Sequence, residues 1–188
     1  MLDIEGVILA GGASRRMGSD KAKLIVEGQS IGERVVQELM RRCHKVTALG
    51  GEPISGADCI PDATPQAGPI AALAGFVPTA ENVFVASCDL PRFTHEVIED
   101  LTKKIGDSQA AIPVLNGRAQ PLCALYRADA FERLRSQHKD GEARIMRWVD
   151  GLDAVFVPAD EQHWGRQITN VNTPEEWEAA LKKLPTST

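Results

Sequence analysis

Short apolar runs that end in glycine or an acidic residue alternate with amphipathic stretches along the first half of the chain. Gly6-Val7-Ile8-Leu9-Ala10 runs into Gly11-Gly12, the pattern of a strand buried on both faces of a parallel sheet. Over residues 30–43, Ile31, Val35, Val36, Leu39, Met40 and Cys43 recur at helical spacing, with Glu33, Arg34, Gln37, Glu38, Arg41 and Arg42 opposite. Lys45 to Leu49, closed by Gly50-Gly51, predicts a second strand. A strand-helix-strand opening of this kind implies a right-handed crossover and a parallel pair. Ala57 to Ile60 predicts a short strand before the turn-rich Pro61-Asp62-Ala63-Thr64-Pro65. Gly68 to Val77 predicts a small-residue helix with Pro69 in its first turn, where a missing N–H costs nothing. Asn82 to Ser87 predicts a third buried strand, ending in Cys88-Asp89-Leu90-Pro91. Thr94 is placed to cap a helix whose stripe is Val97, Ile98, Leu101 and Ile105, stopped by Gly106.

The second half changes character. Ile112 to Leu115 and Ala119 to Tyr126 flank Asn116-Gly117, a hairpin signal because both residues tolerate positive φ. Helices over 128–137 and 142–149 and a strand over Ala154 to Val157 follow. Ile168 to Asn172 reads as a last strand end, and Thr173 with Glu176 forms a capping box with Pro174 at the first helical position. Trp177, Ala180, Leu181 and Leu184 supply that helix's apolar face, and the tail from Pro185 is expected to fray. The expectation is an α/β fold with a mostly parallel central sheet and an inserted antiparallel hairpin. With 188 residues and no repeat or linker, residues 1–188 are read as a single domain.

Charge narrows the partners. The chain is 43% hydrophobic and 25% charged with a formal net charge of −5, so no global field draws nucleic acid or an anionic membrane, and an anionic ligand needs a local basic cluster. No apolar run approaches the roughly 20 residues of a membrane span. The acidic start lacks the pattern of a signal peptide, so a soluble, cytoplasmic protein is expected. Cys43, Cys59, Cys88 and Cys123 form no CxxC pair and sit beside apolar residues, which reads as buried free thiols. His44, His95, His138 and His163 show no zinc-ligand spacing.

Ligands of parallel α/β sheets collect at the carboxyl ends of the strands, so the residues that follow each apolar run carry the chemistry. After the first run comes Gly11-Gly12-Ala13-Ser14-Arg15-Arg16-Met17-Gly18-Ser19-Asp20-Lys21. Glycines allow close approach of a ligand, consecutive N–H groups make an anion nest, and Arg15, Arg16 and Lys21 add three positive charges within seven residues. That combination suits a triphosphate. Neither GxxxxGK[ST] nor GxGxxG is present. Asp89, just beyond the third long strand, is a candidate Mg²⁺ ligand, the plainer role being an Asx turn. Asp62 is a candidate nucleotide or metal contact, or a turn former. Asn170 and Asn172, two apart, would face one ligand or satisfy turn backbone. Arg144 and Arg147 lie either near an anionic acceptor or on a solvated helix face.

The stretch Leu9-Ala10-Gly11-Gly12-Ala13-Ser14-Arg15-Arg16-Met17-Gly18-Ser19-Asp20-Lys21 resembles the opening signature of the bacterial molybdenum cofactor guanylyltransferases, within the Rossmann-like nucleotidyltransferases. The resemblance continues through Pro61-Asp62, Gly68 to Leu73, Cys88-Asp89-Leu90-Pro91, Gln120-Pro121, Gly141-Glu142-Ala143-Arg144 and Asn170 to Glu176. It implies a Rossmann-like three-layer α/β/α fold and transfer of GMP from GTP to the molybdenum–molybdopterin cofactor, with release of pyrophosphate. By that resemblance Leu9, Ala10 and Gly11 contact guanine or ribose and Lys21 the phosphates, with Gly12 a further candidate nucleotide-binding residue. Asp62 touches the nucleotide, and Asp89 holds Mg²⁺ and GTP. Asn170 and Asn172 stand as further binding residues, and Arg16, Lys21 and Asp89 as the catalytic set. Ala10-Gly11-Gly12 favours guanine, because cytosine-using relatives carry Ala-Ala-Gly. The family's frequent asparagine after the second strand is replaced here by Leu49-Gly50-Gly51. Transient contacts with cofactor-assembly proteins and apo-molybdoenzymes follow from the resemblance alone. The alternatives are a related cytidylyltransferase, a sugar-phosphate nucleotidyltransferase, and a GTP-binding protein without chemistry.

Overall fold

The computed structural model describes residues 3–11, 24–26, 28–61, 67–171, 173 and 176. In chain order, its strands are β1 (Ile4–Leu9), β2 (Ile25–Val26), β3 (Gln29–Ser30), β4 (Lys45–Leu49), β5 (Asp58–Ile60), β6 (Asn82–Ser87), β7 (Ala110–Leu115), β8 (Arg118–Ala119), β9 (Cys123–Arg127) and β10 (Ala154–Pro158). The helices are α1 (Ile31–Met40), α2 (Pro69–Ala74), α3 (Glu96–Lys104), α4 (Ala130–Lys139) and α5 (Ile145–Val149), with 3-10 turns at Ala159–Glu161 and Gly165–Ile168. The main sheet has the order β10-β7-β9-β6-β1-β4-β5, with β8 attached to β7, while β2 and β3 form a separate antiparallel ribbon. β1 pairs in parallel with β4 and β6, β4 with β5, and β7 with β10. β9 runs against both β6 and β7.

Alternation along the strands builds the two cores. Ile4, Ile8, Phe84 and Ala86 face Val35, Val36 and Leu39 of α1 and Val97, Ile98 and Leu101 of α3. Val7, Leu9, Val83 and Val85 face Ile70 and Leu73 of α2, Phe131 and Leu134 of α4, and Trp148 of α5. Helices thus cover both faces of one sheet, the three-layer α/β/α arrangement expected. In the second core Tyr126 stacks on Trp148 with ring centroids 4.5 Å apart. Both polar tips are satisfied: Tyr126 Oη donates to Pro121 O at 2.8 Å and Trp148 Nε1 to Ala130 O at 2.9 Å.

Several boundaries differ from the expectation, each for a local reason. α1 begins at a capping box, Ser30 with Glu33, and the two Ser30 hydrogen bonds hold the Glu33 carboxyl below its ordinary range. Thr94 does not cap α3. Its hydroxyl is spent on Gln167 Oε1 at 2.5 Å, and the N-cap is His95, whose N–H donates to Glu38 Oε2 of α1 at 2.9 Å. α5 starts at Ile145 rather than 142, because the Glu142 carboxylate accepts the N–H groups of Ala143 and Arg144 ahead of it. The predicted strand over Ala119 to Tyr126 is broken at Gln120–Leu122, so that β8 completes the Asn116-Gly117 hairpin and β9 enters the sheet between β6 and β7. Asn116 and Gly117 have φ of 50° and 71°, as that turn demands. Residues 168–171 form no strand. Ile168 ends a 3-10 turn and extended coil follows. The Thr173–Glu176 capping box is present, with reciprocal bonds of 3.2 and 3.3 Å. The predicted helix face at 177–184 and the tail lie outside the described residues.

A buried charge also emerges. Glu5, the second residue of β1 and 1% exposed, accepts the Thr79 N–H at 2.6 Å, the Thr79 hydroxyl at 3.1 Å and the Ala80 N–H at 3.1 Å. These bonds tie the α2–β6 loop to the first strand and repay the desolvation of the carboxylate.

Candidate active site

The carboxyl ends of β1, β4, β5 and β6 lie side by side, because all four strands are parallel. The chain leaving β1 is held from both sides. Ala10 and Gly11 donate their N–H groups to Leu49 O at 3.0 and 3.2 Å, and Leu9 O accepts the Cys88 N–H at 3.2 Å. Leu9 and Ala10 are buried and Gly11 is exposed. The Leu9 side chain belongs to the core, so only its backbone faces the rim.

Packing constrains the Gly50-Gly51 turn that follows β4. Both glycines have φ of +67°, and Gly50 donates its N–H to Ile60 O at 2.9 Å. A Cβ on Gly51 would lie 2.6 Å from Ala10 O and 2.9 Å from Ala10 C, closer than real contacts allow. The turn therefore lies directly against the Ala10 peptide, and a side chain there would displace the strip predicted to hold the nucleoside.

Asp89 stands two residues beyond β6. Its Oδ1 accepts the Ser87 hydroxyl at 2.5 Å, and its carbonyl accepts the Val171 N–H at 3.0 Å. The second bond hangs the segment carrying exposed Asn170 on the Asp89 corner. Across the sheet Cys123 pairs with Ala86, and the Cys123 thiol is pushed far up, first by burial and then by the Asp89 charge. A half-buried carboxylate with a neighbouring hydroxyl is an all-oxygen donor set. Among the described residues no cluster of three or more His, Cys, Asp or Glu could hold an ion by itself. One carboxylate supplemented by substrate phosphates and water fits Mg²⁺, which rarely uses a full protein cage.

The structure thus brings Leu9, Ala10, Gly11, Asp89 and Asn170 to one rim. Gly12, Arg16, Lys21, Asp62 and Asn172 lie outside the described residues. Arg144 is engaged by Glu142 through two bonds of 2.9 and 2.8 Å, and Arg147 approaches the same carboxylate at 3.7 Å. The Arg144 contacts hold the Glu142 pKa down at about 2. Ser87 was missed by the sequence reading. Its only signal is a hydroxyl two positions before Asp89. The cysteine expectation is corrected at two positions: all four thiols are free, but Cys88 is only half-buried and Cys59 on the edge strand β5 is exposed. Among the described residues no helix is long and apolar enough to cross a membrane.

Comparison with known proteins agrees with this geometry. The MobA-like NTP transferase domain matches residues 6–157. A Mycobacterium tuberculosis protein named "Probable molybdenum cofactor guanylyltransferase" is 36% identical over 184 residues, spanning 90% of this chain and 89% of its own. The Mycobacterium marinum protein of the same name is 30% identical over 193 residues, spanning 96% and 94%. Among solved structures, the Archaeoglobus fulgidus molybdopterin-guanine dinucleotide biosynthesis protein A superposes with a TM-score of 0.76 at 23% identity, covering 95% of this chain and 97% of that one. The 2-C-methyl-D-erythritol 4-phosphate cytidylyltransferase of Thermus thermophilus shares the fold at a TM-score of 0.70 and 19% identity, covering 96% and 98%.

Proposed function

The chain belongs to the MobA-like NTP transferase family, and from that premise we propose that it transfers GMP from GTP to the molybdenum–molybdopterin cofactor. The products are the guanine dinucleotide form of the cofactor and pyrophosphate. The observation that carries this reading is the meeting of the β1 exit strip with the Asp89 corner at one rim, Cys88 N–H to Leu9 O, directly ahead of the basic segment 11–21.

The backbone of Leu9, Ala10, Gly11 and Gly12 receives the nucleoside, and Arg16 and Lys21 receive the phosphates. Asp62 adds a nucleotide contact, and Asn170 and Asn172 serve as further binding residues. The reaction is an in-line displacement. A terminal phosphate oxygen of the acceptor forms a bond to the α-phosphorus, and the bond from that phosphorus to the α–β bridging oxygen breaks. The electron pair leaves with pyrophosphate. A phosphate monoester is already anionic near pH 7, since its second pKa lies near 6, so a dedicated general base is unnecessary. Positioning and charge stabilisation by Lys21 and Arg16 then carry the rate. Asp89 would hold Mg²⁺, which when bound neutralises charge on the phosphate oxygens.

Incubation with molybdopterin, Mg²⁺ and either GTP or CTP, with products identified by mass, tests this reading. A guanine dinucleotide and pyrophosphate are expected. Preferential formation of the cytosine dinucleotide would move the chain to the cytidylyl branch, and nucleotide binding without product would leave it a non-catalytic binder.

A further inference from the structure

We propose that Arg118, at the tip of the β7–β8 hairpin, is a binding residue for the anionic acceptor substrate. The proposal rests on the transferase reading above and adds to it a cation supplied from outside the basic segment 11–21.

The sheet register locates Arg118. Ala111 of β7 pairs with Leu125 of β9, which pairs with Phe84 of β6, so Ala111 and Phe84 share one level. Leu115 is four residues beyond Ala111, and Cys88 is four residues beyond Phe84. Arg118 pairs with Leu115 and therefore stands level with Cys88. The column is fixed as well. β10 occupies one side of β7 as far as Val114, so β8 takes the other side, in line with β9 and next to β6. Neighbouring strands are about 4.8 Å apart. The Arg118 backbone is thereby placed one strand column from the corner that carries Asp89.

The face is settled by pairing. Directly opposed residues of an antiparallel pair project to the same side, so Arg118 shares a face with Leu115, which packs on the α1–α3 core. Ile168, two residues before Asn170, belongs to that same core. Arg118 and the segment hung on Asp89 through Val171 therefore share one side of the rim.

The tip is pinned rather than loose. Asn116 N–H donates to Asp160 Oδ2 at 2.9 Å, Gln120 N–H to Pro113 O at 2.8 Å, and Gln120 Nε2 to Arg118 O at 3.0 Å. The Tyr126 hydroxyl holds Pro121 O at the next corner. Arg118 is exposed, and among the described residues no carboxylate pairs with it, whereas Arg144 and Arg147 share Glu142. A planar donor fork on a fixed platform suits a phosphate or another oxyanion of the acceptor.

The test compares wild type, Arg118→Ala and Arg118→Lys by acceptor KM, kcat, GTP affinity and melting temperature. Arg118→Ala should raise the acceptor KM by roughly tenfold to a hundredfold, the worth of one hydrogen bond between charged groups. GTP affinity and melting temperature should stay at wild-type values, and Arg118→Lys should recover part of the loss. An unchanged acceptor KM in Arg118→Ala, or a loss of GTP affinity equal to the loss for acceptor, overturns the assignment. Absence of transfer by wild type that still binds GTP would instead overturn the transferase reading, and the acceptor role with it.

Discussion

Replacing Gly51 by alanine should damage stability and nucleotide binding together, and a second glycine separates the two physical causes. At Gly51, φ is +67°, and the new Cβ would meet Ala10 O at 2.6 Å. The left-handed backbone costs an L-residue about 1–2 kcal/mol, and forcing a methyl into a filled contact adds about 1–3 kcal/mol. The expected total is about 2–5 kcal/mol. Gly141 has φ of +85° with nothing within 4 Å of its added Cβ, so Gly141→Ala bears only the backbone cost. Alanine restricts the unfolded chain equally at either site, so that contribution cancels between the two variants. With a urea m-value of about 2 kcal/mol/M, the unfolding midpoint should drop by about 1–2.5 M for Gly51→Ala and about 0.5–1 M for Gly141→Ala. Relief of the clash must move the Ala10 peptide, whose N–H bonds Leu49 O. GTP affinity should therefore fall about tenfold in Gly51→Ala, the value of one hydrogen bond, and remain unchanged in Gly141→Ala. Equal midpoints for the two variants would refute the packing argument. Unchanged GTP affinity in a destabilised Gly51→Ala would detach the turn from the nucleotide.

Four further outcomes follow. Lys21→Ala should lower kcat by a factor corresponding to about 2–4 kcal/mol, as for loss of one electrostatic donor, and single-turnover kinetics with saturating GTP would read it directly. Asp89→Ala should abolish the Mg²⁺ dependence of GTP affinity in titration calorimetry, and a retained dependence would place the metal elsewhere. Cys59 should react first with a thiol reagent in the native protein, while buried Cys43 and Cys123 react only on unfolding. Burial raises the Cys43 pKa from 9.0 to about 12. Its neutral form thus contributes stability that is complete below about pH 9 and is lost as pH rises towards 12. The urea midpoint should decline over that window, and less steeply in Cys43→Ala.

The parallel half of the sheet was legible because β1, β4 and β6 are continuous apolar runs closed by glycine or by Cys88-Asp89, and because the α1 stripe has a clean helical period. The path of β9 was not legible. Ala119 to Tyr126 is uniformly apolar or neutral, and nothing local shows that Gln120–Leu122 leaves the ladder so that β9 can enter between β6 and β7. Side-chain partners that are distant in sequence were hidden for the same reason. Thr94 looks like a cap until Gln167, 73 residues away, takes its hydroxyl. At the site, Asp89 was singled out from its position after an apolar run, and Asn170 from its spacing to Asn172 at an expected strand end, which the structure replaces by coil. Their junction through Val171 N–H and Asp89 O, and the Ser87 hydroxyl on Asp89, needed the fold. The reason for Gly50-Gly51 became visible only once Ala10 was seen to lie against Gly51.

The most direct measurement is a crystal structure of the protein with Mg²⁺ and a non-hydrolysable GTP analogue. Guanine should lie against the Leu9–Gly11 backbone, with the phosphates on residues 11–21 and the metal on Asp89. A nucleotide bound on another surface, with the Asp89 corner occupied by water alone, would contradict the account.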